Sequence, residues 1–418
     1  MMENTNLKKY LSNDIVFCMI NKMFITLDPA EVKRSNMYLE IVRALIQLMR
    51  NEDPLFAESY QEIIYCGSFY KGTKVGKPNE YDLNIVLKFP IDYEGIRLSS
   101  NQPGFTKIHV TNASLTKFSL KYNSSNPIRK SFQKLISQEC LDPDNVRQWI
   151  EGILSKVFQT LPKNGNKYTL QMQNRDGTTR KFKIKKSGPA FTLILSISEE
   201  SEDIHIDLAP ALVFQKYNIH GSSVRMNEIQ TYKNKVWYAI PLPTNNNDWN
   251  EKLHWRFNFC HQENELLTRY SRIKPVIRQM KKLRDTQNWK SIASYFIETL
   301  FLHKLMMFEE DFDRIPFTLF FLKMLKELHN ACNQRRIEYF WDLKYNLLQK
   351  IKEPEMCNIT CRLNRIIKLI EKQTSPDPYI IAEHILNTDE LRLLKLEYDR
   401  RQNNNQDIRL CIMMTLLK

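Results

Sequence analysis

The apolar positions of this chain change their period as it proceeds. Between Asp28-Pro29 and Arg50 they recur at helical spacing, with Tyr38, Ile41, Leu45 and Leu48 on one stripe. The spacing predicts a long helix over about 28–51, with Asp28 as N-cap and Pro29 at the first helical position. Alternation follows. The segment from Tyr81 to Phe89 sends Leu83, Ile85, Leu87 and Phe89 to one face, with Glu80 and Asp82 on the other. From Asp203 to Pro210, Ile204, Ile206 and Leu208 form the apolar face, and His205 and Asp207 share the opposite one. Ala190 to Ser198 and Val236 to Ile240 read as further strands, and Tyr168–Gln173 with Thr179–Lys185 as a hairpin around Asp176-Gly177. Helical spacing returns at Pro127–Glu139 and Pro143–Leu161. It then dominates from Trp249 onward, after the polar run Asn245-Asn246-Asn247. The pattern predicts an α/β lobe over 1–245 and a helical lobe over 246–418.

Composition narrows the class. With 418 residues and 42% hydrophobic content the chain can bury a substantial core in two or three units, or in one two-lobed enzyme. The first thirteen residues lack the apolar segment of a secretory signal. The apolar run Ile315–Leu322 is far too short to span a bilayer. No membrane partner is expected. The 8 cysteines include no Cys-x-x-Cys pair, which argues against a disulfide framework or a zinc cluster and fits a reducing, cytoplasmic setting. A net charge of +14 suits a polyanionic partner, although a generic basic surface would carry the same charge.

Candidate chemistry concentrates in two places. Gly67-Ser68 forms a turn able to offer backbone N–H groups and a hydroxyl to a phosphate. Glu80 and Asp82 then open a strand on its polar face, where two carboxylates repel unless a cation lies between them. Hard oxygen ligands of this kind suit Mg²⁺ or Mn²⁺. Asp207, on the polar face of another strand, completes a candidate triad. Two ions held this way activate an attacking hydroxyl and stabilise a leaving pyrophosphate. The plainer reading of Glu80 and Asp82 is a solvated strand end.

Three later segments complete a set: Trp255-Arg256-Phe257-Asn258-Phe259-Cys260-His261-Gln262-Glu263, Arg272 through Leu283, and Ile292-Ala293-Ser294-Tyr295-Phe296-Ile297-Glu298-Thr299. Together with Gly67-Ser68, Glu80-x-Asp82 and Asp207-Leu208-Ala209-Pro210, the chain resembles the cyclic GMP–AMP synthase family, and more closely its animal receptor-like branch, over roughly residues 30 to 350. The resemblance implies a two-lobed nucleotidyltransferase fold of α/β + α class: a mixed β-sheet with flanking helices, a long N-terminal spine helix and a C-terminal helical bundle. It implies an enzyme that joins ATP and GTP into a cyclic dinucleotide, a second messenger of antiviral innate immunity, when double-stranded nucleic acid binds. Carried over residue by residue, Gly67 and Ser68 meet the ATP phosphates. Glu80, Asp82 and Asp207 hold two Mg²⁺ or Mn²⁺ ions, with Asp207 near the attacking hydroxyl. Arg256 through Glu263 grip the acceptor nucleotide. Arg278 matches a lysine that holds the triphosphate, with Lys274 and Lys281 on the same helical face, and Tyr295 matches a tyrosine that stacks on a base, with Ser294 beside it.

Two departures from the family pattern stand out. The synthase's His/Cys zinc insert is missing, since Leu266 to Tyr270 runs straight into Arg272; this points to the insect-type receptors and to double-stranded RNA as activator. Glu298 stands where the family often has a lysine. Duplex binding would fall to spaced basic residues, since A-form RNA is read by shape, phosphates and 2′-hydroxyls: Lys33, Arg34, Arg43 and Arg50 on the long helix, Lys183 and Lys185 on the hairpin, and Lys281 and Lys282 on the later helix. Dimerisation on the duplex stays open. So do a DNA trigger, a linear product, and a catalytically silent nucleic-acid-binding protein on the same fold.

Overall fold

One strand organises the sheet. The computed structural model describes residues 5–27, 29–77, 79–165, 167–171, 179–187, 190–196, 203–241, 252–305, 314–372 and 377–403. Its principal strands are β1 (Tyr60–Cys66), β2 (Glu80–Leu87), β3 (Phe105–His109), β4 (Lys167–Gln171), β5 (Thr179–Ser187), β6 (Ala190–Ser196), β7 (Ile204–Phe214), β8 (Trp237–Ile240) and β9 (Trp255–Asn258). On one edge β7 pairs in parallel with β2, from His205 opposite Glu80 to Leu212 opposite Leu87. On its other edge it pairs antiparallel with β6 over its first half and with β8 over its last residues. The sheet continues through β9 to β3 on one side and through β5 to β4 on the other, while β1 adds to β2. The mixed sheet expected of the fold is therefore present.

Alternation decides what each face buries. Tyr81, Leu83, Ile85 and Leu87 share a face with Ile206, Leu208, Leu212, Trp237, Trp255 and Phe257, all buried. The helix Pro143–Thr160 packs near this sheet with Val146, Ile150, Ile153, Leu154 and Val157 inward. It starts where Asp142 accepts from the N–H of Asp144 and Asn145, with proline at its first turn. On the opposite face Ile64, Val86, Ala211, Tyr238 and Cys260 form a smaller apolar cluster. The predicted spine helix is present as Pro29–Glu52, about 36 Å long. It buries Tyr38, Ile41 and Leu45 with Val42, Ile46 and Met49. The N-cap expected at Asp28 lies outside the described residues.

The chain divides into two compact units. One, the sheet unit, comprises 28–71 and 78–265; the other comprises 1–27, 72–77 and 266–418. The boundary expected near 245 falls within 242–251, outside the described residues. The first 27 residues group with the helical unit, not with the sheet as the sequence suggested. The helical unit holds Ile273–Thr286, Ser294–Lys304, Phe317–Asn333, Glu353–Glu371 and Thr388–Asn403. Two short N-terminal helices, Thr5–Leu11 and Ile15–Ile20, belong to it, and the Asp14 carboxylate between them accepts from the N–H groups of Phe317 and Thr318 at 2.9 Å each. The predicted helical pattern from Trp249 needs two corrections. Trp255–Asn258 is strand β9, because Trp255, Phe257 and Phe259 alternate at period two. A small hairpin, Glu338–Tyr339 with Asp342–Asn346, interrupts the later helices. The helix expected over Pro127–Glu139 stops at Gln133, and a short strand pair turns through Gln138 and Glu139 at φ 49° and 60°. Among the described residues no helix is long and apolar enough to cross a membrane.

Candidate active site

Parallel pairing of β2 with β7 sets Asp82 directly opposite Asp207, with Glu80 two residues earlier beside His205. All three acids lie on the polar face, as their alternation predicted. Glu80 and Asp82 are exposed, and Asp207 is half-buried. On the far edge of β7, Thr192 of β6 pairs with Asp207, and its hydroxyl donates a short hydrogen bond to Asp207 Oδ1. The carboxylates occupy neighbouring positions without converging: among the described residues no three acid, histidine or cysteine side chains surround a common point.

The turn before β2 is built around glycine. Gly67 has φ +73°, and a Cβ there would fall 1.7 Å from Asp82 Oδ2, so only glycine permits both the backbone conformation and the approach. Ser68 follows on the short helix Gly67–Tyr70, whose Phe69 ring meets Tyr81 of β2 edge to face at 4.7 Å. The backbone of this turn is thus held against one of the candidate acids. Three hard carboxylates beside a glycine cradle fit a divalent cation such as Mg²⁺ or Mn²⁺.

Other expected residues of the sheet unit stand differently. Register carried from β7 through β8 to β9 puts Arg256, half-buried, on the same face as Asp207 but near the opposite end of that strand, four positions along. Glu263, expected to receive a base, is buried, and its Oε2 accepts from Lys71 Nζ at 2.8 Å. The carboxylate thus forms an ion pair inside the sheet unit. Trp255 and Phe259 are core residues. His261 receives or donates a 2.9 Å hydrogen bond with the Tyr238 hydroxyl, and burial pulls its pKa below the ordinary histidine value.

In the helical unit, Lys274 and Arg278 stand one turn apart on Ile273–Thr286. Neither forms an ion pair with an acid among the described residues, and Arg278 Nε lacks a partner. Burial lowers the pKa of both, with Arg278 adding repulsion at Lys274. Two crowded, desolvated cations without a carboxylate are a natural place for an anion. Lys281, expected among the basic residues that meet the duplex, is 2% exposed and donates to Glu298 Oε1 at 2.5 Å. Lys282 pairs with Glu390 at 2.6 Å and is half-buried. Each ammonium is thus paired with a carboxylate. The Ser294 hydroxyl accepts from Arg284 Nη1 at 2.6 Å. Tyr295 is half-buried, its ring 6.3 Å from that of Tyr339. On the spine helix Arg43 and Arg50 are exposed, with the Arg50 guanidinium 5.8 Å from the Tyr60 ring. The side chains of Lys33, Arg34, Lys183 and Lys185 lie outside the described residues.

The residues that sequence reasoning missed are Thr192, Lys71 and Thr73. Each acts through a partner distant in the chain, and no local pattern marks such a partner.

Comparison with known proteins agrees with this geometry. The chain matches the Mab-21 protein nucleotidyltransferase domain over residues 69–269 and the Mab-21 protein HhH/H2TH-like domain over residues 272–365. It is 35% identical over 390 residues to a cyclic GMP-AMP synthase-like receptor of Microplitis demolitor, covering 93% of this chain and 70% of that one. Similar receptors of Trichogramma pretiosum (33% over 407 residues, 96% and 81%) and Tribolium castaneum (32% over 376 residues, 89% and 91%) also match. With the acids in register on adjacent strands and both domains matched in order, the chain belongs to the cyclic GMP–AMP synthase-like receptors of the Mab-21 nucleotidyltransferase family.

Proposed function

We propose that this nucleotidyltransferase makes a cyclic dinucleotide of the cyclic GMP–AMP type from ATP and GTP when double-stranded RNA binds, and that the product serves antiviral signalling. The observation that carries the reading is the pairing of Asp82 with Asp207 in parallel register, with Glu80 on the same face and Gly67-Ser68 against Asp82. Nucleotidyltransferases generally use divalent metal ions. Here Glu80, Asp82 and Asp207 would hold them, and bound ions of this kind neutralise the charge that develops on attacking and leaving oxygens. The chain's own residues supply the rest. The Ser68 hydroxyl and the neighbouring backbone N–H groups meet phosphate oxygens of the donor. Asp207, oriented by the Thr192 hydroxyl, stands by the attacking hydroxyl of the acceptor. Lys274 and Arg278, which have no carboxylate partner among the described residues, take up triphosphate charge. Tyr295 offers a ring face on which a base can stack.

RNA is favoured over DNA as activator by the direct run of the chain from the helix Cys260–Arg269 into Ile273–Thr286, which leaves no room for a zinc insert. The test is incubation of the full chain with ATP, GTP and Mn²⁺ and either duplex RNA or duplex DNA, followed by mass spectrometry of the products. A cyclic product with RNA is expected. Glu80→Ala should abolish it while leaving RNA binding intact. A folded protein that gives only linear chains, or no product with either duplex, would overturn the proposal.

A further inference from the structure

Three consecutive residues after the Gly67-Ser68 turn are anchored in turn by buried groups far away in sequence. Lys71 ends the turn: its N–H donates to the Gly67 carbonyl at 3.2 Å, and its ammonium donates to Glu263 Oε2 at 2.8 Å, with 10% and 6% of the two side chains exposed. Gly72 has φ +71°, and its carbonyl faces Arg278 Nη1 at 3.4 Å. Thr73 is fully buried, and its hydroxyl donates to Glu298 Oε1 at 2.6 Å. Lys281 Nζ lies 3.1 Å from the Thr73 carbonyl and 3.0 Å from its hydroxyl, and donates to the same Glu298 oxygen. Lys71 and Glu263 belong to the sheet unit, whereas Thr73, Lys281 and Glu298 belong to the helical unit.

Buried ion pairs are a poor way to gain stability, because desolvation offsets much of the attraction and apolar residues of similar volume serve as well. What such a pair does supply is geometry: a carboxylate and an ammonium with fixed hydrogen-bond directions. Here Lys71–Glu263, wholly inside the sheet unit, holds the residue that ends the Gly67-Ser68 turn. We infer that Lys71 and Glu263 are positioning residues that clamp this turn in the conformation that receives nucleotide phosphates. The inference rests on the proposed role of Ser68.

Hydrogen–deuterium exchange of the peptide over 67–77 in the full chain, together with equilibrium binding of ATP, tests this without needing catalysis. Lys71→Met removes the cation of the pair, and Glu263→Gln removes the charge of its partner while keeping its shape. Each should speed exchange over this peptide while exchange of the β7 peptide stays as in the wild type, and each should weaken ATP binding about 10- to 100-fold, the scale on which small misplacements act. Lys71→Arg, which keeps the charge, should return exchange toward the wild-type rate. Unchanged exchange in both Lys71→Met and Glu263→Gln would overturn the inference. So would faster exchange with ATP affinity unaltered, since the pair would then be merely structural. Faster exchange with weakened ATP binding supports it even if the wild type makes no product, an outcome that would sink the proposed reaction and leave the clamp standing.

Discussion

At the scale of single residues, Gly67 carries the tightest constraint. Its backbone conformation and its approach to Asp82 each exclude a side chain, and the second exclusion is steric contact with a carboxylate of the candidate site. Gly67→Ala should therefore cost at least about 1–2 kcal/mol for the left-handed backbone alone and displace Asp82 as well. The expected outcome is loss of nucleotide turnover with a lowered melting temperature, read from product formation and thermal denaturation. A variant that kept full turnover would show that the turn does not need to sit against Asp82. The glycine itself was visible in the sequence as part of a Gly-Ser turn. Its steric reason was not, because the contact depends on β1 and β2 pairing so that Cys66 stands opposite Asp82. The partner of Glu263 was equally hidden, since Lys71 lies far from it in sequence.

Among elements, the spine helix and the helix Ile273–Thr286 show how far periodicity reaches. Both were legible as helices, since a stripe of apolar positions is a local property. Which of their charges face solvent was legible only for the first. Arg43 and Arg50 are exposed on Pro29–Glu52. If a duplex lies along this helix, Arg43→Ala and Arg50→Ala should each weaken RNA binding across sequences and reduce the slope of log K against log salt by about one. Affinity measured over a salt series checks this, and an unchanged slope for both would place the duplex elsewhere. The second helix defeated the same reasoning: it is buried on several sides, so Lys281 turns inward to Glu298 although its spacing matches that of Arg278.

For the whole molecule, the grouping of residues 1–27 with a unit that otherwise begins near residue 266 means that the helical unit is closed by a distant part of the chain. Asp14 does this by a simple device. Phe317–Asn333 begins at Pro316, which offers no side-chain cap, and the Asp14 carboxylate takes the N–H groups of Phe317 and Thr318 instead. Phe17 stacks on Phe317 at 5.2 Å, and Gln279 donates to the Phe17 carbonyl at 2.8 Å. Asp14→Ala should destabilise the helical unit by about 1–2 kcal/mol, as loss of a helix cap does. Chemical denaturation followed by far-ultraviolet circular dichroism would measure it, and an unchanged midpoint would mean that another group takes over the cap.

The sequence by itself determined the elements and the polar faces on which the acids stand. Strand alternation and helical stripes arise between neighbours in the chain, and the strands beginning at Glu80 and Ile204 carry their carboxylates where that alternation puts them. Motif order was enough to name the family. Only the tertiary structure decided the rest: that Asp82 and Asp207 face each other across a parallel pair, that Trp255 opens a strand, and that Lys71, Thr73, Lys281 and Glu298 are interior partners. The physical reason is the same throughout. Register, burial and ion pairing are settled between residues as far apart in the chain as Asp14 and Phe317, by the competition between desolvation and a correctly placed partner, and no local period records that competition.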